Sequence, residues 1–223
     1  MSDSSNIRQN TQNLAQATQN SDRPYHWFET LYAEATGNPA QIPWAKLTPH
    51  PALIAWLNQQ KLRQPGQGAL VVACGLGDDA EALAAEGYAV TAFDYSQSAI
   101  AWCRQRFETS LVNYYSADLF SLPQAWQNAY PLVWECRTIQ SLPLEMRSSA
   151  MRAIANLVAP GGTLLVLTHL RPNDSAAQGP PWPLSEAELA EFTHLGCTEV
   201  QRQPYQDSQR PEVAQVMIEY HFL

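Results

Sequence analysis

The residues best placed to do chemistry are Gly75, Gly77 and Asp94. The glycines lie in the run Ala69-Leu-Val-Val-Ala-Cys-Gly-Leu-Gly-Asp-Asp-Ala80, where they let a turn of backbone close tightly on a ligand. Asp94 follows about 20 residues later, at the end of a second apolar run. A carboxylate at that spacing suits a ribose diol. To place these groups the chain needs a strand over Ala69–Cys74 and a helix over Asp79–Glu86 that Gly87 stops. A second strand over Tyr88–Phe93 must then end at Asp94.

The residues after the turn bear on which nucleotide is bound. A dinucleotide turn reads G-x-G-x-x-G, with a helix N-terminus facing a pyrophosphate. Here Asp78, Asp79 and Glu81 follow Gly77. Three carboxylates repel phosphate but suit the helix dipole. They also suit an ammonium or sulfonium ligand without phosphate. S-adenosylmethionine (SAM) is such a ligand.

At these residues the chain resembles the class I SAM-dependent methyltransferases. The resemblance is carried by the Cys74-Gly-Leu-Gly-Asp-Asp79 turn, by Phe93-Asp94-Tyr-Ser-x-x-Ala-Ile100 and by Ser116-Ala-Asp118-Leu119. The commonest form of the turn has a third glycine where Asp79 stands. Features outside the turn resemble the thiopurine S-methyltransferase-like group of small-molecule enzymes. These are a Trp-rich arm with Ile42-Pro-Trp44, Arg137 before Leu142-Pro143 and Arg147, and Gly179-Pro-Pro-Trp182 ahead of an acidic helix start. The departure is Glu135-Cys136-Arg137, which stands where the family carries Asp-Arg. The resemblance implies a Rossmann-like α/β fold: a seven-stranded, mostly parallel sheet with an antiparallel C-terminal hairpin and helices on both faces. It implies that SAM is held by Cys74, Gly75, Gly77 and Asp79 in the turn, by Asp94 and Tyr95, and by Asp118 and Leu119. Trp27, Trp44 and Glu135 would complete that site. The methyl acceptor it implies is a small thiol, other chalcogen species, halide or amine.

Composition narrows the partners. The 223 residues suffice for one α/β domain with a sizeable core. The net charge of −8, with 13 Lys and Arg, argues against nucleic acid as the main partner. Cys74, Cys103, Cys136 and Cys197 form no C-x-x-C pair and read as free thiols in a reducing compartment. The five histidines show no metal-ligand spacing. With no apolar run near the length of a membrane span, the expectation is a cytoplasmic, monomeric protein.

Along the chain, residues 1–22 are polar and aperiodic, which predicts a disordered tail before a single domain over 23–223. Residues 23–48 form an aromatic arm. Its Trp27 and Trp44 either pack the arm onto the sheet or cover the ligand as a lid, with an aromatic face toward a sulfonium. Pro51–Lys61 reads as an amphipathic helix and Gln97–Arg106 as a second, capped by Ser96. Leu111–Tyr115 and Pro131–Glu135 read as strands three and four. Leu144–Val158 reads as a helix ending at Ala159-Pro-Gly-Gly162, and Thr163–Thr168 as strand five. Ser185-Glu-Ala-Glu188 is a capping-box pattern. Thr198–Tyr205 and Val213–Phe222 alternate as a closing hairpin, with a turn near 207–211.

Three residues near the strand ends have two readings each. Asp118 accepts from an adenine amine or caps a turn. Glu135 orients the amino group of the ligand or takes a proton from a substrate. Arg137 holds an anionic substrate group or pairs with a surface acid. Methyl transfer from SAM is an in-line displacement, so the protein mainly aligns the nucleophile and excludes water. A SAM-binding protein without chemistry and a nucleotide-dependent oxidoreductase are the alternatives, the latter weakened by the missing third glycine.

Overall fold

The computed structural model describes residues 2–18, 21–60, 65–177, 179–207 and 212–222. The expected hairpin turn near 207–211 and the end of the helix expected to reach residue 61 lie largely outside them.

Two helices come first, α1 (Ser2–Thr18) and α2 (Trp27–Ala35). Then α3 (Pro51–Gln59) leads to β1 (Gly68–Val72), α4 (Asp78–Ala85), β2 (Ala89–Asp94), α5 (Gln97–Arg106) and β3 (Asn113–Ser116). The second half runs β4 (Tyr130–Cys136), α6 (Arg147–Ala155), β5 (Val158–His169), α7 (Glu186–Leu189), α8 (Glu191–His194), β6 (Cys197–Tyr205) and β7 (Gln215–Phe222). The seven strands form one sheet in the order β3-β2-β1-β4-β5-β7-β6. Strands β1 to β5 pair in parallel, and β7 runs antiparallel between β5 and β6.

Burial on both faces explains the unbroken apolar strands. Leu70 and Val72 of β1 face the core beneath α6, while Ala69 and Val71 face the one beneath α3, α4 and α5. The strand order reverses between β1 and β4. In open α/β sheets ligands bind at such a switch point, beyond the carboxyl ends of the strands. That edge gathers Cys74, Asp94, Asp118, Glu135 and Arg137.

Two elements differ from the sequence reading. Residues 2–18 form a helix rather than a disordered tail. Ala15 is buried against Trp27, Leu31 and Ala35, so a single apolar stripe suffices once α2 supplies a surface. The helix expected over Leu144–Val158 is shorter, because a 3-10 turn occupies Leu144–Met146 and β5 begins at Val158. Ala159-Pro-Gly-Gly162 therefore belongs to the strand, at a register shift opposite Tyr130 and Leu132. A Cβ on Gly162 would lie 2.8 Å from the Ala159 carbonyl oxygen, so the irregular strand needs glycine there. Among the described residues no helix is long and apolar enough to cross a membrane.

Candidate active site

The turn after β1 is built around Asp94. Asp94 Oδ2 accepts from the Gly75 N–H at 2.9 Å and Oδ1 from the Ser96 N–H at 2.8 Å. Each oxygen keeps a lone pair for a further donor. Burial pushes this carboxyl up to about 6, against the pull of those two backbone donors. Gly75 has φ +54° and Gly77 φ +89°, which glycine adopts without steric cost. A Cβ on Gly77 would meet the Tyr114 hydroxyl at 2.5 Å, and one on Gly75 the Tyr32 hydroxyl at 3.1 Å. The Cys74 N–H donates to the Phe93 carbonyl at 2.8 Å, tying the turn to β2.

The three acids at the start of α4 are engaged by the protein. Asp78 takes a forked pair of hydrogen bonds from Arg106 at 2.9 and 2.7 Å. Asp79 accepts from the His50 N–H at 2.6 Å and from the Trp134 indole at 2.8 Å, and burial raises its pKa. Glu81 accepts from the hydroxyls of Tyr114 and Ser110, each at 2.6 Å. These carboxylates brace α4 against β3, β4 and α3. Asp79→Ala is therefore expected to cost about 1–3 kcal/mol by orphaning two buried donors. Thermal unfolding should show it, as a midpoint lower by several degrees. A fall in SAM affinity without that loss of stability would return Asp79 to the cofactor.

Asp118 begins a 3-10 turn at Leu119 and caps it, accepting from the Phe120 N–H at 3.0 Å. Its other oxygen accepts from the Tyr25 hydroxyl at 2.8 Å. Leu119 is buried in the adjoining core. The Tyr95 hydroxyl meets His26 Nδ1 at 2.9 Å. The arm thus touches the strand edge at both Tyr95 and Asp118.

Trp27 and Trp44 occupy different settings within the arm. Trp27 is buried, stacked on Phe28 at 3.8 Å between ring centroids, and packs the arm together. Trp44 remains 39% exposed, and its indole donates to the Tyr32 hydroxyl at 2.8 Å. Tyr32 is the side chain that a Cβ on Gly75 would meet, so Trp44 is linked to the turn through one side chain. Trp182 is anchored by its backbone: its N–H donates to the Gln140 carbonyl at 2.7 Å, and Arg147 donates to its carbonyl.

Glu135 and Arg137 sit close together in sequence but have separate partners. Glu135 pairs in register with Val72, directly below the glycine turn. It is fully buried, and its Oε1 accepts from the backbone N–H groups of Thr138 at 2.6 Å and Ile139 at 3.2 Å. Oε2 is buried and has no hydrogen-bond partner. Burial pushes this carboxyl up to about 7. Arg137, at φ +64°, donates to Gln215 Oε1 on β7 and lies 3.3 Å from His50 Nε2. Burial and then the guanidinium hold His50 down to about 4, so its ring is neutral at pH 7. Gln215, His50, Tyr25 and Glu29 were not singled out from the sequence, because each meets its partner from a distant segment.

These observations fit SAM. Asp94 offers two acceptors for a diol, the glycine turn is cramped against added side chains, and the orphaned Glu135 oxygen at the same strand edge is open to a donor. The sheet order, the turn and the acid after β2 together define a class I methyltransferase. The family model for thiopurine S-methyltransferase (TPMT) matches residues 36–221, and the chain belongs to that family. It is a SAM-dependent methyltransferase. The chain is 25% identical over 193 residues to a thiopurine S-methyltransferase of Legionella pneumophila (strain Corby), covering 79% of this chain and 83% of the relative. It is 27% identical over 168 residues to the probable thiol methyltransferase 2 of Arabidopsis thaliana, covering 73% and 68%. The N-methyltransferase NodS from Bradyrhizobium japonicum WM9, solved with S-adenosyl-L-homocysteine, shares the fold. Its TM-score is 0.62 at 17% identity, covering 96% of this chain and 98% of that one.

Proposed function

We propose that this enzyme methylates a small-molecule thiol, or a related chalcogen nucleophile, at the switch point between β1 and β4. The observation that carries this reading is Glu135, a fully buried carboxyl with one oxygen unpartnered at that point. The names of two relatives, which specify a thiopurine and a thiol, support a sulfur acceptor. Asp94 and the Gly75–Gly77 turn hold the cofactor, whose sulfonium supplies an already activated methyl group when bound. What remains for the chain is to align the acceptor, exclude water and take up one proton.

A thiol is the weaker nucleophile and its thiolate the stronger. With a carboxyl poised at about 7, Glu135 Oε2 accepts the thiol proton near neutral pH and leaves the thiolate in place. Arg137 adds positive charge at the same strand end, which favours the anion. The aromatic arm, held to the sheet at Tyr95, Asp118 and Gly75, restricts the acceptor to a small molecule. The test is release of S-adenosylhomocysteine with a panel of aromatic and aliphatic thiols, selenols and amines. Thiol turnover is expected, falling by about 10²–10⁴ in Glu135→Gln. Turnover with amines alone would overturn the sulfur assignment, and binding without turnover would leave only a SAM-binding role.

A further inference from the structure

One carboxylate of the arm is tied directly to the frame of the cofactor turn. Glu29, on α2, accepts from the Ser96 hydroxyl at 2.6 Å, the Ser98 hydroxyl at 2.7 Å and the Ser98 N–H at 3.1 Å. Ser96 is fully buried and begins α5. Its hydroxyl has one proton, which goes to Glu29, while its oxygen accepts from the Ala99 N–H at 2.9 Å. Its own N–H donates to Asp94, whose other oxygen holds the Gly75 N–H. A single relay thus runs Glu29–Ser96–Asp94–Gly75. Tyr32, one helical turn beyond Glu29 on α2, stands against Gly75 as well. The arm therefore grips both ends of the relay.

We propose that Glu29 is a positioning residue for SAM binding, holding Asp94 and Gly75 in place through Ser96. This rests on the reading of Asp94 and Gly75 as cofactor ligands. A negative charge at the start of α5 also suits the helix dipole. Burial works upward on the Glu29 carboxyl, but the hydrogen bonds from Ser96 and Ser98 outweigh it and hold its pKa below the ordinary value. The titratable groups facing Asp94 are Glu29 and Tyr32 from α2 and Cys74 from the turn. Tyr32 and Cys74 are pushed well above their usual range and stay neutral at neutral pH, so Glu29 is the charged neighbour.

The experiment is calorimetry with SAM on the full chain, wild type against Glu29→Gln, from pH 5 to 8, with steady-state kinetics alongside. At pH 8 the variant should bind SAM about tenfold more weakly, the loss of one charge-assisted hydrogen bond. The KM for SAM should rise while the saturated kcat and the acceptor KM stay within about twofold. The midpoint of the acid loss of SAM binding should move to lower pH, because Asp94 loses a like-charged neighbour. Ser98→Ala serves as a milder second variant, expected to weaken SAM about threefold with the midpoint nearly unmoved, because Glu29 keeps its charge. Unchanged affinity in both variants, with Asp94→Ala still defective, would overturn the role of Glu29 and leave the cofactor reading standing. In Glu29→Gln, weakened binding with an unmoved midpoint and a lowered melting temperature would also overturn it, reducing Glu29 to packing. Normal affinity in Asp94→Ala itself would overturn both.

Discussion

Gly75→Val is expected to bind SAM at least about 100-fold more weakly than the wild type, a loss of about 2.7 kcal/mol. Two separate effects act at this residue. Its φ of +54° lies in the left-handed region, where a β-branched residue is strained by about 1–3 kcal/mol. The new Cβ would also stand 3.1 Å from the Tyr32 hydroxyl, with two further methyl groups beyond it. Those methyls fill the space above the turn and push the arm away from it. The strain alone would lower the melting temperature by about 2–12 °C in a chain of this size. Calorimetry and thermal unfolding on the same preparation separate the two effects. Wild-type affinity in a folded variant would show that the ligand does not approach the turn.

The acid dependence of SAM binding is expected to report Asp94. Burial raises its carboxyl from an ordinary 3.8 to about 6 in the folded protein. The sign differs for stability and for binding. The folded chain takes up a proton near pH 6 that the unfolded chain takes only near 3.8, so this group adds stability as pH falls between the two. The ribose needs acceptors, so SAM affinity falls over the same range, by about tenfold per pH unit below 6. Asp94→Ala should lose about 1.5–3 kcal/mol of binding at pH 8, or about 10- to 150-fold. It should also lose the steep acid slope below pH 6. Burial also raises the Glu135 carboxyl, to about 7, so the difference between wild type and Asp94→Ala is what isolates the Asp94 step. An identical acid slope in both proteins would remove Asp94 from the site.

Much of the fold can be read from local pattern. Leu70, Val72, Leu164 and Val166 face one core while Val71, Leu165 and Leu167 face the other, which is why their strands read as continuous apolar runs. Ser96 caps α5 over the predicted span, since a cap and a helix period are both local signals. Gly75, Gly77 and Asp94 stand out in the sequence because a tight turn and a following acid have a fixed spacing along one βαβ unit, and the structure joins Asp94 to Gly75 directly. For the α4 acids, sequence does not show where an oxygen is spent within the protein. Trp134, which takes one oxygen of Asp79, lies 55 residues away. Glu29 was invisible for the same reason, as Ser96 is 67 residues from it and the link exists only once α2 packs on α5. The polar tail was misjudged because helix formation there depends on the surface offered by Trp27 and Leu31 rather than on its own composition.

The most direct test of the account is a crystal structure of the full chain grown with S-adenosylhomocysteine at pH 8. Ligand density is expected at the switch point between β1 and β4. The ribose should lie against Asp94 and the amino-acid tail against Gly75 and Gly77, with α2 still docked through Glu29 and Tyr32. Density elsewhere on the molecule, or a ligand at this edge with neither Asp94 nor Gly75 within hydrogen-bond or van der Waals reach, would contradict it.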